Sequence, residues 1–169
     1  MRRNAVGAMQ CSLNVRVQRR RTRLPPRAAR VSVAFDGIEA LLVDCLRTRC
    51  ASALVCIAWL RAPAVLRAVP RGSRAIVTND VRLPAYRRAG IVARKVGRAR
   101  GSRRALMHNK FVVGRDASGT PAWVLVGSYN ATAHSRLNTE SVVLIEDATI
   151  AQGFADEFDA IWQLGRPCA

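Results

Sequence analysis

The sequence predicts an α/β protein of one domain, built on a mixed, largely buried sheet flanked by helices on both faces. Three observations predict it. Short apolar runs bounded by turn residues alternate with segments of helical periodicity. The run 53–59 is apolar throughout, and 141–145 is apolar after Ser141, as strands covered on both faces are. The chain has 169 residues, half of them apolar, which is enough for a single core.

Taken in order, residues 1–30 read as a basic, flexible leader. No acid precedes Asp36, and Arg16, Arg19, Arg20, Arg21, Arg23, Arg27 and Arg30 crowd the segment. It lacks the apolar stretch of a signal peptide, so a cytoplasmic location is expected, with organelle transit as the alternative. The folded domain is expected over 31–169. Val31, Val33 and Phe35 alternate as in a half-buried strand. Asp36 is the predicted N-cap of a helix to about Arg49, with Ile38, Leu41, Leu42, Cys45 and Leu46 on one stripe. The run 53–59 follows as a central strand. Pro63 opens a short helix to about Val69, and 74–78 forms the next strand. Pro84 opens another short helix, to about Arg88, and 91–94 reads as an edge strand. Residues 106–113 and 123–126 form a hairpin across a turn rich in Gly, Asp, Ser and Pro. After the strand 141–145, Thr149 caps a closing helix whose Ile150, Phe154, Phe158, Ile161 and Trp162 recur at core spacing. Trp59, Trp123, Cys45 and Cys56 also read as core. Five cysteines without matched histidines argue against a disulfide framework or a zinc site, and no metal or cofactor is expected.

The hairpin carries the chemistry. Leu106, His108 and Lys110 share one parity of an extended segment, and Ser128 and Asn130 share another beyond Gly127. A hairpin brings an imidazole, an ammonium, a hydroxyl and a carboxamide to adjacent strands. Phosphodiester cleavage spreads negative charge over the non-bridging oxygens, so preorganised donors supply the main catalytic effect. Imidazole titrates near neutrality and can attack phosphorus or pass a proton. Gly114, Gly119 and Gly127 make neither a dinucleotide fingerprint nor a P-loop, and Ser128 lacks the setting of a nucleophile elbow.

These residues resemble the phospholipase D-like superfamily, whose signature is His-x-Lys, an Asp a few residues on, and Gly-Ser-x-Asn. The resemblance runs from Val31 to Trp162, most specifically His108 to Glu140, and is nearest the single-motif bacterial nucleases. It implies a phosphodiesterase that works without a metal through a covalent phosphohistidine. His108 would be the nucleophile or, in a partner subunit, the general acid. Lys110 and Asn130 would hold the phosphate, with Ser128 in support, and Glu140 would orient the imidazole. Asp116 falls one place beyond the family's Asp, across a longer turn, and is either its counterpart or a residue that shapes the turn. One motif per chain requires a second histidine from elsewhere. His134 has no Lys after it and reads as a surface residue, so a two-fold homodimer sharing one site is expected.

Charge is the second clue. There are 28 Lys and Arg against 11 Asp and Glu, a net +17. Arg87, Arg88, Arg94, Lys95, Arg98, Arg100, Arg103 and Arg104 lead directly into His108 without an intervening acid. A basic approach to a phosphodiester site concentrates a polyanion there, so DNA or RNA is the expected partner. Tyr86 is the one aromatic suggestive of base stacking. The expected activity is therefore endonucleolytic. A phospholipase D-type lipid phosphodiesterase, with membrane contact through the basic leader, is one alternative. A catalytically lapsed nucleic-acid-binding module is the other.

Overall fold

Alternation from Ala53 to Ile57 sets the layering, because Ala53, Val55 and Ile57 are buried on one side of the chain and Leu54 and Cys56 on the other. A strand apolar on both sides needs cover on both. The computed structural model describes residues 29–78, 84–97 and 106–167. In chain order it contains β1 (Arg30–Ala34), α1 (Ile38–Thr48), β2 (Ser52–Ile57), α2 (Pro63–Ala68), β3 (Arg74–Thr78), α3 (Pro84–Ala89) and β4 (Val92–Val96). Then follow β5 (Lys110–Arg115), β6 (Pro121–Gly127), β7 (Val142–Glu146), α4 (Ala148–Leu164) and β8 (Arg166–Pro167). The eight strands form one mixed sheet in the order β1-β7-β6-β5-β2-β3-β4-β8. Pairs β2–β3 and β3–β4 are parallel, and the others are antiparallel. Helices α1, α2 and α3 cover one face, and α4 covers the other.

The leader as far as residue 28 lies outside the described residues, while Arg30, placed in the leader by its charge, already belongs to β1. β1 forms as expected but its apolar side is open: Val31, Val33 and Phe35 are 56%, 55% and 67% exposed. Val31 and Val33 pair with β7 at the sheet edge, while α4 packs chiefly on β6 and β5. Helix α1 starts from Gly37, in the left-handed conformation at φ 62°, which displaces Asp36 as the expected cap. Helix α4 is capped by Asp147, whose carboxylate accepts from the Ile150 amide at 2.8 Å, two residues before the expected Thr149. Strand β4 is not the sheet edge, because the two-residue β8 pairs with it. Cys45 and Cys56 are buried core residues, and burial pushes the Cys56 thiol up to about 12, which makes it inert.

Two expected nucleic-acid contacts are structural instead. Tyr86 is buried in the helical layer, with its hydroxyl donating to the Leu60 carbonyl, so it offers no ring for stacking. Arg94 pairs with Ile76 in register and so faces α4, where it donates to the Trp162 carbonyl at 2.8 Å. Its guanidinium lies 4.6 Å from the Trp162 ring centroid, and that of Arg74 lies 5.2 Å from it. Arg74 also pairs with Asp159 at 2.8 Å. The two cations thus clamp α4 to β3 and β4. Replacing Arg94 with Met is expected to cost about 1–3 kcal/mol in denaturant unfolding while leaving polyanion affinity unchanged.

Candidate active site

The three antiparallel registers around β5 bring its first residues, the end of β6 and the start of β7 to one edge of the sheet. Lys110 pairs with Ile57, Phe111 with Val126, and Gly127 with Val142. That edge also holds the carboxyl ends of the parallel strands β2, β3 and β4, where open α/β sheets present their ligand crevices. Beyond it, Ala58 donates to the Asn109 carbonyl at 3.1 Å, and Thr78 to the Ala58 carbonyl at 3.0 Å. An isolated bridge joins Gly97 to Leu106, so the chain between β4 and β5 departs from and returns to this same end. Arg98, Arg100, Arg103 and Arg104 lie outside the described residues. Arg87 and Arg88 are exposed on α3, and Lys95 is half-buried on the same face of the sheet.

Gly127 makes the convergence possible. A Cβ there would stand 2.0 Å from the Ser141 carbonyl oxygen, so only glycine lets β6 and β7 approach this closely. The next residue then locks across: the Ser128 amide donates to the Ser141 carbonyl at 3.0 Å, and the Ser141 amide donates to Ser128 Oγ at 3.1 Å. Ser128 Oγ in turn donates to the Glu140 carboxylate, whose other oxygen accepts from Asn138 Nδ2 at 3.2 Å. Glu140 is therefore held beside Ser128, and among the described residues no hydrogen bond joins it to His108.

Lys110 projects towards the same place. Its Nζ donates to the His108 carbonyl at 2.6 Å. Burial holds its ammonium below the usual lysine range, and the nearby Glu140 charge pulls the other way. His108 is exposed just ahead of β5, with its ring set edge-on to Trp59, centroids 5.7 Å apart at 80°. Asn130 is half-buried, and its Oδ1 is buried without a hydrogen-bond partner among the described residues. A cleft of about 460 Å³ opens beside Glu140, with Phe35 and Arg136 among its lining residues. Among the described residues, no three His, Cys, Asp or Glu side chains group as metal ligands.

Asp116 does not join the site. It follows β5 at the opposite end, about 20 Å from Lys110 at the rise of an extended strand. Its carboxylate accepts from the Ser118 amide at 2.9 Å, Ser118 Oγ at 2.6 Å and the Thr120 amide at 3.0 Å, closing the hairpin turn. These bonds hold its carboxyl below the usual range. Two residues outside the expected set do belong here. Trp59, expected in the core, packs half-buried against it and also backs His108; its place just past the carboxyl end of β2 was the available signal. Asn138 braces Glu140, and its spacing two residues earlier was the corresponding sign. His134 is exposed in a short 3₁₀ turn, as expected. Gly127→Ala should force β6 and β7 apart and cost about 1–3 kcal/mol of unfolding free energy, measured by denaturant titration.

Comparison with known proteins places this architecture. No curated protein matches the sequence. The family model described as cardiolipin synthase, PLD-like domain, matches residues 66–162, more than half of the chain. Among solved structures, the chain is similar to Nuc, a phospholipase D family member from Salmonella typhimurium. The identity is 18%, the TM-score 0.67, and the match covers 83% of this chain and 99% of that one. NucT from Helicobacter pylori is similar at 13% identity and TM-score 0.66, over 83% of this chain and 100% of that one. Phosphatidylserine synthase from Haemophilus influenzae Rd KW20 matches at 14% identity and TM-score 0.59, over 85% of this chain and 41% of that one. The family match begins within α2 and ends near the close of α4, so it takes in β5, β6, β7 and the turn from Ser128 to Glu140. On that match, the chain belongs to the phospholipase D-like superfamily.

Proposed function

We propose that this protein is an endonuclease that cleaves DNA or RNA without a metal, through a phosphohistidine, at a site shared by two copies. The observation that carries the reading is the convergence of His108, Lys110, Ser128, Asn130 and Glu140 at one sheet edge. Gly97 and Leu106, which bracket an Arg-rich stretch of the sequence, are bridged to each other at that same edge. In the proposed reaction, a His108 ring nitrogen forms a bond to phosphorus as the bond to the leaving oxygen breaks. His108 of the partner subunit gives that oxygen its proton. Water, losing its proton to the partner imidazole, then cleaves the P–N bond and restores His108. Lys110 supplies positive charge to the non-bridging oxygens and Asn130 a carboxamide dipole. Ser128, already committed to Glu140, fixes that carboxylate in place.

The dimer is supported by chemistry, since one chain offers one such histidine, and by surface. Phe35 and Leu137, 67% and 86% exposed, flank the site where a second subunit would cover them. A lipid phosphodiesterase is the second reading. It is favoured by the description of the matching family model and by the similarity in fold to a phosphatidylserine synthase. No helix among the described residues is long and apolar enough to cross a membrane.

Cleavage of single- and double-stranded DNA and RNA in excess EDTA tests the reading, with phosphatidyl diesters in mixed micelles as the comparison. Turnover of nucleic acid is expected to persist in EDTA and to fall by more than about a thousandfold in His108→Ala. Lys110→Ala and Asn130→Ala should each cost about a hundredfold. Binding without cleavage would select the lapsed module, and cleavage of the lipids alone would select the second reading. Sedimentation showing an active monomer would remove the shared site.

The depressed Lys110 titration adds a pH signature. As pH rises through a lowered value, the ammonium loses its charge early, and the counter-charge for the phosphate goes with it. The alkaline limb of kcat/KM is therefore expected below the ordinary lysine range, and Lys110→Arg should move it upward.

A further inference from the structure

The turn from Ser128 to Glu140 carries three of the five groups assigned to the reaction, so whatever fixes the turn fixes the phosphate cradle. Its middle is tied to the chain ahead of α2, where the Ala131 carbonyl accepts from the Arg61 and Ala62 amides, each at 2.7 Å. Its two flanks are tied to a single side chain on a different element. Glu39, in the first turn of α1, accepts from the Tyr129 hydroxyl at 3.1 Å. The same carboxylate accepts from Arg136 Nε at 3.0 Å and from a terminal guanidinium nitrogen at 2.7 Å. This is a two-pronged fork, the strongest and most directional form of ion pair.

The placement of these groups is what gives the tie a function. Tyr129 stands between Ser128 and Asn130, is 4% exposed, and packs within the core of the helical layer. A ring so packed, with its hydroxyl fixed at the far end, leaves the intervening backbone little freedom to rotate. Arg136 lies on the return leg, two residues before Asn138, the side chain that braces Glu140. The Glu39 side chain is only 17% exposed, so freeing it from its partners leaves a carboxylate that solvent reaches poorly. Burial, followed by the Glu39 carboxylate, holds the Tyr129 phenol above its usual range and keeps it a donor.

We infer that Glu39 is a positioning residue for the phosphate site: through Tyr129 it sets Ser128 and Asn130, and through Arg136 it sets Asn138 and Glu140. The inference rests on the proposed phosphodiesterase reading and extends the site to a helix that bears none of the signature residues. A purely structural role would lower stability and leave substrate affinity alone. A positioning role degrades the phosphate cradle in protein that remains folded.

The test uses the full chain, bis(p-nitrophenyl) phosphate as the diester and inorganic phosphate as the competing ligand. Glu39→Ala and Tyr129→Phe are each expected to raise both KM and the inhibition constant of phosphate, and to lower kcat about tenfold. Glu39→Gln, which keeps an acceptor for Tyr129, should retain more activity than Glu39→Ala. Adding Tyr129→Phe to Glu39→Ala should cost nothing further, because the two act through one contact. If Glu39→Ala does not fold, Tyr129→Phe decides alone, since it removes one oxygen and leaves the packed ring. A lowered thermal midpoint with KM and the phosphate constant unchanged overturns the inference. Wild-type protein that neither turns over the diester nor binds phosphate overturns the parent reading, and this one with it; an active wild type whose variants keep its KM and phosphate constant overturns this one alone.

Discussion

Everything at the candidate site depends on how closely β6 and β7 approach at Gly127. The missing side chain lets the Ser141 carbonyl lie where a Cβ would stand, and that contact fixes the register of the paired serines. From there the geometry propagates by hydrogen bonds, from Ser128 to Glu140 and from Glu140 to Asn138. On the other side of β6, the pairing with β5 sets Lys110 and His108 at the same height. A backbone constraint one residue wide thus decides where charges separated by some thirty positions of sequence will meet.

The charge distribution divides into two uses that composition alone does not separate. Some of the excess arginine is consumed internally. Arg74 and Arg94 hold Trp162 between them, Arg136 serves Glu39, and Arg49 pairs with Asp44 and Glu146. Other basic side chains, such as the exposed Arg88, remain on the surface. The field available to a polyanion is therefore smaller than the net charge suggests and is concentrated where arginines lack carboxylates to pair with.

How much could be read from the chain varies with the physics involved. The layered α/β class, the order of the strands in sequence and the helices led by Pro63 and Pro84 follow from periodicity and local turn chemistry, and they are present. His108, Lys110, Ser128, Asn130 and Glu140 converge at one end of the sheet because strand parity and hairpin pairing act over short distances. What was missed depends on contacts across the fold. Periodicity reports that Tyr86 and Arg94 lie on ordered elements, yet only packing shows that one is enclosed and the other is engaged by Trp162. Val31 and Val33 alternate like a core strand, and nothing local announces that both stay exposed at the sheet edge. Asp116, one place off the pattern's spacing, left two readings open, and the bonds of its carboxylate within its own turn decide for the residue that shapes the turn.

The position of α4 in the chain has a consequence for how the molecule comes into being. Leu54, Cys56, Ile76, Phe111, Val113 and Val124 present one apolar surface, and the helix that covers it is made only after all of them. The other face is closed earlier, because α1, α2 and α3 precede β5. During vectorial synthesis one side of the sheet therefore waits uncovered, a hydrophobic surface with no internal partner, until the segment bearing Phe158 and Trp162 emerges. The site-bearing strands are in the same position, since β5, β6 and β7 also line the face that α4 closes. Assembly of the candidate site is thus tied to the arrival of a helix that supplies none of its residues.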